Sequence, residues 1–370
     1  MLKSKKFWNY DACESIEIKQ DTLDGYKQKM RIYEDINYFY DQMGIGVHNS
    51  LKQPFGKDHY DPSGFSFINI MVDINTLKIL FTVLPNSRVV TLKFSCNNLD
   101  VNNLEYLINA VLHKPNNIYN FVFEWNSKFI IDGGYYEVSD LNDGYLLDER
   151  VVSDVNKAQA DLCSLALSPK IEALCLRGNS LGDKSCISLL ENLRSNNVLK
   201  VLNLYKNNLT SKCINALISM LDNNKKLEDI NLGGNFFVDS DLAKIKSILG
   251  GSPVTNEQLD AYNKKIKERD LIIEKNKKLK LLKKNEEVVP VLEEFILVGD
   301  VYYSIKNKYL KNLNIIKNSF SQSCYEDLIF MLDMNTNLLI TMDSSIFTPE
   351  QRETLLDPNG KYANRIYLTK

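Results

Sequence analysis

Three histidines and seven cysteines are the side chains of this sequence best suited to metal binding or nucleophilic catalysis. Zinc sites need histidine and cysteine at short, regular spacings, as in HExxH or paired CxxC motifs. The histidines are His48, His59 and His113, and the cysteines are scattered from Cys13 to Cys324 without a CxxC pair. We therefore expect no metal or cofactor, surface positions for the histidines, and reduced thiols as in a cytosolic protein.

Sequence signatures of nucleophilic catalysis and of phosphate binding do not occur: there is no GxSxG, GxxxxGK[ST], DFG or GxGxxG. Cys186 shares its position in a repeated pattern with apolar residues, which predicts a core side chain. Cys175 is predicted on an exposed strand face, where no neighbouring group in the sequence would activate its thiol. The sequence therefore predicts a protein that is not an enzyme.

The composition of the 370 residues is that of an ordinary globular chain, with 44% hydrophobic and 25% charged residues. The net charge of −2 lacks the basic excess of duplex-binding proteins, which argues against a nucleic-acid partner. No stretch of eighteen apolar residues occurs, and no apolar run follows the first lysines. We therefore expect neither a transmembrane helix nor a secretory signal, and no membrane partner.

The dominant pattern is a repeat of 28 residues. The segments IEALCLRGNSL from Ile171, LKVLNLYKNNL from Leu199 and LEDINLGGNFF from Leu227 share the form LxxLxLxxNxL and start 28 residues apart. In the second half of each unit, apolar residues recur at i, i+3, i+4 and i+7, as in Ile214, Leu217, Ile218 and Leu221. Each unit is therefore predicted to be a strand, a turn and a helix.

The physical logic of this unit requires neighbouring units to stack. The LxL pair places two apolar side chains on one face of a strand, and the helix covers them. Neither layer can bury its apolar face alone, so successive units share one core. The asparagine fits the turn that leaves the strand. We predict an α/β leucine-rich-repeat solenoid of the ribonuclease-inhibitor-like class, with a curved parallel sheet inside and helices outside.

Weaker copies of the motif extend the array in both directions. The apolar segments near residue 67 and over 77–84 predict a degenerate capping unit. The copies are VVTLKFSCNNL from Val89, IYNFVFEWN from Ile118, LKNLNIIKNSF from Leu310 and NLLITMDSSIF from Asn337. We predict an extended or partly ordered segment over 1–60, repeats over 61–250, and further repeats with a cap over 291–370.

Two interruptions are predicted within the array. The first, 127–150, contains the turn dipeptides Gly133–Gly134 and Asp143–Gly144 and should form a small hairpin. Such a hairpin could determine specificity or be a decorative loop, and the sequence leaves both open.

The second interruption, 251–290, is predicted to be a charged helix or linker that starts at the N-cap Thr255. Residues 264–287 contain ten Lys or Arg and five acidic side chains. This segment is interpreted either as a basic arm for an acidic surface, such as a tubulin tail or a nucleic acid, or as a solvated helix. Its candidate contact residues are Lys275, Lys277, Lys278 and Lys280.

Strand residues outside the apolar pair should line the concave face of the array, where a protein partner would bind. Arginine and tyrosine are enriched at protein interfaces, which favours Arg177 and Tyr205 as anchors. A rim or the convex side is the alternative surface. The predicted protein-binding residues are Arg177, Tyr205, Lys206, Asn203, Glu228, Asp229 and Asn231.

The order of these segments resembles a known family. Repeats are followed by PVTNEQLDAYNKKIKERDLIIEKNKKLK and then by GDVYYSIKNKYLKNLNIIKNSF, in which the repeat resumes. Over 85–335 this order is similar to the ciliary leucine-rich repeat-containing protein seventy-one family. The interruption is shorter here than the family pattern implies, and Lys306–Asn307 stands where that pattern has glycine-asparagine. The resemblance implies an axonemal or other microtubule-associated component with axonemal or tubulin-containing partners.

The sequence therefore predicts a non-enzymatic scaffold for protein–protein interaction, cytoplasmic and cytoskeletal, and located in a cilium or flagellum axoneme. The alternative is a regulator of a small GTPase, because Ran GTPase-activating proteins share this repeat class and a period of about 28 residues.

Overall fold

The computed structural model describes residues 11, 16, 18–27, 31–53, 62–97, 99–131, 134–137, 149–283, 285–292 and 294–369. Within these ranges the main sheet has nine strands, all paired in parallel. In spatial order they are β1 (Gly64–Ile68), β2 (Thr91–Ser95), β3 (Asn120–Glu124), β6 (Ala173–Cys175), β7 (Val201–Asn203), β8 (Asp229–Asn231), β12 (Asn312–Asn314), β13 (Leu339–Asp343) and β14 (Ile366–Thr369). The α/β class and the parallel sheet predicted from the sequence are confirmed.

The described ranges also contain eleven helices, and all of them except Asn256–Leu281 contribute apolar residues to one cluster that is buried with the strands. They are α1 (Gln20–Asp24), α2 (Ile32–Met43), α3 (Ile74–Val83), α4 (Val101–His113), α5 (Glu149–Ser164), α6 (Gly182–Leu193), α7 (Ile214–Asn223), α8 (Asp239–Leu249), α9 (Asn256–Leu281), α10 (Tyr325–Met334) and α11 (Pro349–Leu356). Short 3-10 turns lie at Asn49–Leu51, Leu84–Asn86, Leu165–Leu167, Ser211–Cys213, Gln322–Cys324 and Ser344–Ile346.

The three best-matched segments occupy adjacent strands in one register. Leu174 pairs with Leu202, and Leu202 pairs with Ile230. The second leucines of the motif, Leu176 and Leu204, are buried directly after these strands. Full burial of one such side chain stabilises the fold by about 1.5–3 kcal/mol, so the stacked leucines account for the repeat spacing.

The motif asparagines form a ladder beyond the carboxyl ends of the strands, and all of its members are buried except the half-buried Asn318. The amide nitrogen Nδ2 of Asn207 donates to the carbonyl of Leu176 in the preceding unit (2.9 Å), and Oδ1 accepts from the backbone N–H of Asn179 (3.1 Å). The same bridge recurs from unit to unit, so each asparagine satisfies backbone groups that have left the strand pairing. The ladder comprises Asn97, Asn126, Asn179, Asn207, Asn235 and Asn318.

A second asparagine ladder, which our sequence analysis missed, ties the helix C-termini together. Nδ2 of Asn224 donates to the carbonyl of Leu193 (2.7 Å), and Oδ1 accepts from the N–H of Leu227 (2.8 Å). Asn307 repeats this bond with Leu221 O (2.6 Å). The ladder therefore crosses the second interruption unbroken. Its members are Asn196, Asn224, Asn307 and Asn335, and Arg365 takes the role at the last unit.

The described part of the first sixty residues is more structured than the extended or partly ordered segment predicted there. Helix α2 buries Ile32, Ile36 and Phe39 against the first strand–helix unit. The Tyr33 ring packs edge-on against Phe65 (6.0 Å between centroids). An amphipathic helix therefore covers the apolar end of the sheet at β1.

The first interruption contains an antiparallel hairpin of β4 (Lys128–Ile131) and β5 (Gly134–Glu137). The hairpin predicted over 127–150 is thus present in its first part. Both Gly133 and the Asp143–Gly144 turn lie outside the described residues.

The second interruption, which we call the arm, is larger than predicted. Helix α9 runs 26 residues from the capping box of Thr255, and Asn276 is its buried residue. An antiparallel sheet of β9 (Ser252–Pro253), β10 (Phe295–Val298) and β11 (Val301–Ser304) joins both ends of the arm to the array. Parallel pairing resumes only at β12, so the boundary predicted at residue 291 lies before the observed one.

Candidate functional site

Among the described residues, helices cover one face of the parallel sheet and leave the other face without a helical cover. Alternate strand residues such as Leu202 point into the core, whereas Lys93, Val122 and Asn203 on the opposite side are half-buried. We call this second surface the open face. It corresponds to the surface that the sequence analysis expected to be concave.

Near the carboxyl ends of β3, β6 and β7, four side chains form what we call the Arg177 cluster: Trp125, Arg177, Tyr205 and Lys206. The guanidinium carbon of Arg177 lies 5.0 Å from the Trp125 ring centroid and 4.8 Å from that of Tyr205. The Lys206 ammonium lies 5.7 Å from the same tryptophan ring. Two cations are thus held over aromatic faces, which stabilises each contact by about 0.5–2 kcal/mol.

Glycines beneath the cluster allow its rings to lie on the backbone. A Cβ atom at Gly178 would come within 2.2 Å of the Trp125 ring, and its φ of +70° also favours glycine. A Cβ at Gly233 would lie 3.0 Å from the Tyr205 ring. Tyr205 is therefore only 9% exposed, so it supports Arg177 rather than presenting its own surface.

Neither cation of the cluster has a carboxylate partner among the described residues. Three other lysines along the sheet are paired with glutamates. The Lys93 ammonium lies 2.5 Å from Glu124, Lys200 lies 2.7 Å from Glu172, and Lys311 lies 2.7 Å from Glu228. The cluster is therefore a local positive charge, in contrast to these three paired lysines.

The other predicted binding residues of the open face are engaged within the chain. Glu228 lies at the start of its strand, where the hydrogen bond from Lys311 lowers its pKa. Asp229 accepts from the side-chain amide of Asn312. Asn203 and Asn231 lie side by side, and each Oδ1 accepts from a backbone N–H two residues later (3.0 Å). The structure thus separates the free cations at one strand end from paired residues along the strands.

The arm lysines are all exposed, as predicted for a solvated or partner-binding helix. Lys275 forms an ion pair with Glu287, and the Lys278 ammonium lies 3.9 Å from Glu274. Lys277 and Lys280 make no ion pair within the described part of the chain.

The candidate groups for chemistry are dispersed. Burial raises the pKa of the Cys175 thiol, which disfavours the reactive thiolate. Cys186 is buried, as predicted. The surface position predicted for His48 is wrong, since this ring is 2% exposed and packs on Phe67. His113 is exposed and His59 lies outside the described residues. No group of three metal-ligating side chains occurs in the described ranges.

Trp125 is the member of the cluster that our sequence analysis missed. It directly precedes a ladder asparagine and has a left-handed φ of 58°, as do Lys206 (53°) and Lys317 (53°). Gly178 and Gly234 hold this position in other units. The Trp125–Asn126 pair, aligned with Gly178–Asn179 and Lys206–Asn207, was the signal that could have identified this column.

The fold and its open face define an α/β chain of stacked strand–helix units. No protein-family model matches the chain. It is 36% identical over 95 residues to the mouse protein named NACHT, LRR and PYD domains-containing protein 5, over 25% of this chain and 8% of that protein. The aligned part thus spans less than a tenth of that relative. The match points to leucine-rich repeats in this chain.

Among the described residues, no helix is both long and apolar enough to span a bilayer.

Proposed function

We propose that this chain is a leucine-rich-repeat solenoid that acts as a non-enzymatic scaffold and binds a protein partner on its open face. The observation that carries the proposal is the Arg177 cluster. Desolvated arginine and aromatic side chains are the groups that most often dominate interface energetics. Here they lie on a rigid sheet, and the charges of Arg177 and Lys206 are not balanced within the described chain.

The test is partner capture from an extract of cells that express the chain, measured by quantitative mass spectrometry. Arg177→Glu with Lys206→Glu changes the charge of the cluster by −4. Arg194→Glu with Lys212→Glu makes the same change at exposed positions on the helical side. We expect the cluster variant to lose specific partners at least about tenfold, since removal of a hot spot costs 2 kcal/mol or more.

The control variant should retain these partners, and both variants should show the parental circular-dichroism melt. Equal capture by all three proteins would place binding on another surface.

We further propose that the scaffold belongs to a cilium or flagellum axoneme, or to another microtubule assembly. The support is the order of repeats, charged interruption and resumed repeat, which resembles the ciliary family. The exposed basic residues of the arm suit the acidic tails of tubulin. Cryo-electron tomography of axonemes that lack the protein should show a missing density, and unchanged density would contradict this location.

A further inference from the structure

The guanidinium carbon of Arg177 lies within 5.0 Å of the ring centroids of both Trp125 and Tyr205, and its Nε atom is buried without a hydrogen-bond partner among the described residues. We propose that its outer edge binds a carboxylate, and that the open face therefore recognises an acidic peptide segment of its partner. This inference rests on the proposed function and names the chemistry of the partner.

The geometry of the cluster suits a carboxylate. Contacts with the rings of Trp125 and Tyr205 restrict the guanidinium, whose N–H donors form a rigid planar fork. A planar carboxylate accepts two parallel hydrogen bonds from such a fork. The two rings also exclude water from part of the guanidinium, which strengthens a charge-assisted bond made at its outer edge. Lys206, over the same tryptophan ring, supplies a second donor beside it.

The chain itself does not provide this carboxylate within its described ranges. Val122 of β3 pairs with Cys175 of β6. Two residues further along both strands, the same register places Glu124 next to Arg177. Glu124 instead accepts from Lys93 on the other side (2.5 Å) and from the Ser95 hydroxyl (3.4 Å). Its charge is thereby compensated by the neighbouring strand, and the positive charge of Arg177 is left for an external group.

The distribution of charge favours a peptide over a nucleic acid. A phosphate backbone requires a row of unpaired cations at regular spacing. On the open face, Lys93, Lys200 and Lys311 are each paired with a glutamate. The two adjacent cations, Arg177 and Lys206, therefore suit one or two acidic side chains of a peptide.

The experiment uses a phage-displayed library of random twelve-residue peptides selected on the full chain. The most enriched peptides are then synthesised, together with versions in which each Asp or Glu is replaced by Asn or Gln. Binding is followed by the fluorescence of Trp125, isolated by Trp8→Phe because the chain has two tryptophans. The proteins compared are the parent, Arg177→Gln, Arg177→Lys and the control Arg194→Gln.

We expect enrichment of Asp and Glu, and one carboxylate whose replacement weakens binding about 10–100-fold. Arg177→Gln should cause the same loss, and in that variant the neutralised peptide should lose no more than about twofold further. Arg177→Lys should lose part of the affinity because it keeps the charge without the fork, and Arg194→Gln should lose none.

Three results would each overturn the carboxylate assignment. The first is enrichment of peptides without acidic residues, and the second is a library with no binder that depends on Arg177. The third is a loss of affinity in the doubly changed pair that equals the product of the two single losses. None of these results affects partner capture through the open face, which the paired charge-reversal variants measure separately.

Discussion

At the scale of single residues, buried polar side chains determine how the units join. Asn207 makes no contact with solvent, and its amide bridges the backbones of two units. A buried amide of this kind stabilises the fold chiefly because its removal leaves backbone N–H and C=O groups without partners. Arg177 lies two residues before the ladder residue Asn179 and Lys206 lies one residue before Asn207, so the ladder also positions the binding surface.

Replacement of a ladder asparagine should therefore be costly. We expect Asn207→Ala to lower the free energy of unfolding by about 2–4 kcal/mol, because it leaves the N–H of Asn179 and the carbonyl of Leu176 unsatisfied. Urea denaturation followed by circular dichroism measures this change. The control is Asn215→Ala, at an exposed position of α7, which should cost less than about 0.5 kcal/mol. Equal effects of the two substitutions would contradict a structural role of the ladder.

His48 should make stability depend on pH. Burial lowers the pKa of His48 to about 4, against the opposing charge of Asp73 and with a small contribution from Lys52. Between about pH 4 and 6.5 the unfolded chain binds the proton more strongly, so stability should fall as the pH drops through this window. The loss attributable to His48 is up to about 3 kcal/mol.

The measurement is urea denaturation at pH 7 and pH 4.5 for the parent and for His48→Gln, which does not titrate. The parent should lose more stability than the variant on acidification. An identical loss in both proteins would show that other groups cause the acid sensitivity.

At the scale of elements, the arm is separable from the array. Its helix α9 has one buried residue, and both of its ends join the short sheet in which Pro253 pairs with Tyr303. If the arm is removed, the two cut ends lie opposite each other in an antiparallel pair, and a two-residue turn can join such ends. The arm is thus an insertion that the repeat core does not require.

We expect replacement of residues 254–302 by Asn-Gly to leave the melting temperature within a few degrees of the parent, because little core is removed.

The same deletion should abolish co-sedimentation with microtubules. Lys275→Gln, Lys277→Gln, Lys278→Gln and Lys280→Gln in one chain should weaken it at least tenfold at low salt. The control replaces Lys184, Lys212, Lys225 and Lys244, which are exposed outside the arm, by Gln. Co-sedimentation that survives the deletion would rule out the arm as the contact.

At the scale of the whole molecule, a stack of parallel strands needs a cover for each end. Helix α2 covers the β1 end with Ile32, Ile36 and Phe39, and the Tyr40 hydroxyl shares a hydrogen bond with Thr76 (2.7 Å). Terminal units of repeat arrays require such a cap for solubility, because their apolar side otherwise faces water. The first helices therefore belong to the folding unit.

Removal of residues 1–61 should expose this apolar end. We expect the truncated chain to aggregate, as seen by size-exclusion chromatography with light scattering. Phe39→Ala tests the same packing in the full chain and should cost about 3–5 kcal/mol, whereas Gln42→Ala on the exposed side of α2 should have little effect. A truncated chain that stays monomeric with the parental melting temperature would show that the cap is dispensable.

The sequence by itself determined the periodic part of this protein. Leucines 28 residues apart predict stacked strands because a repeated pattern can be buried only by its neighbours, and Leu174, Leu202 and Ile230 are paired accordingly. The arm helix and its N-cap were predicted for a similarly local reason, since a capping box depends on residues three apart.

Only the tertiary structure decided what lies between units. The sequence identified Arg177, but not that the rings of Trp125 and Tyr205 both lie against its guanidinium, because these residues are brought together by lateral strand pairing across an interrupted repeat. It did not indicate that Glu124 would pair with Lys93, so that Arg177 has no carboxylate partner among the described residues. Which side chains pair depends on the distances between them on adjacent strands. The spacing of residues along the sequence does not specify these distances.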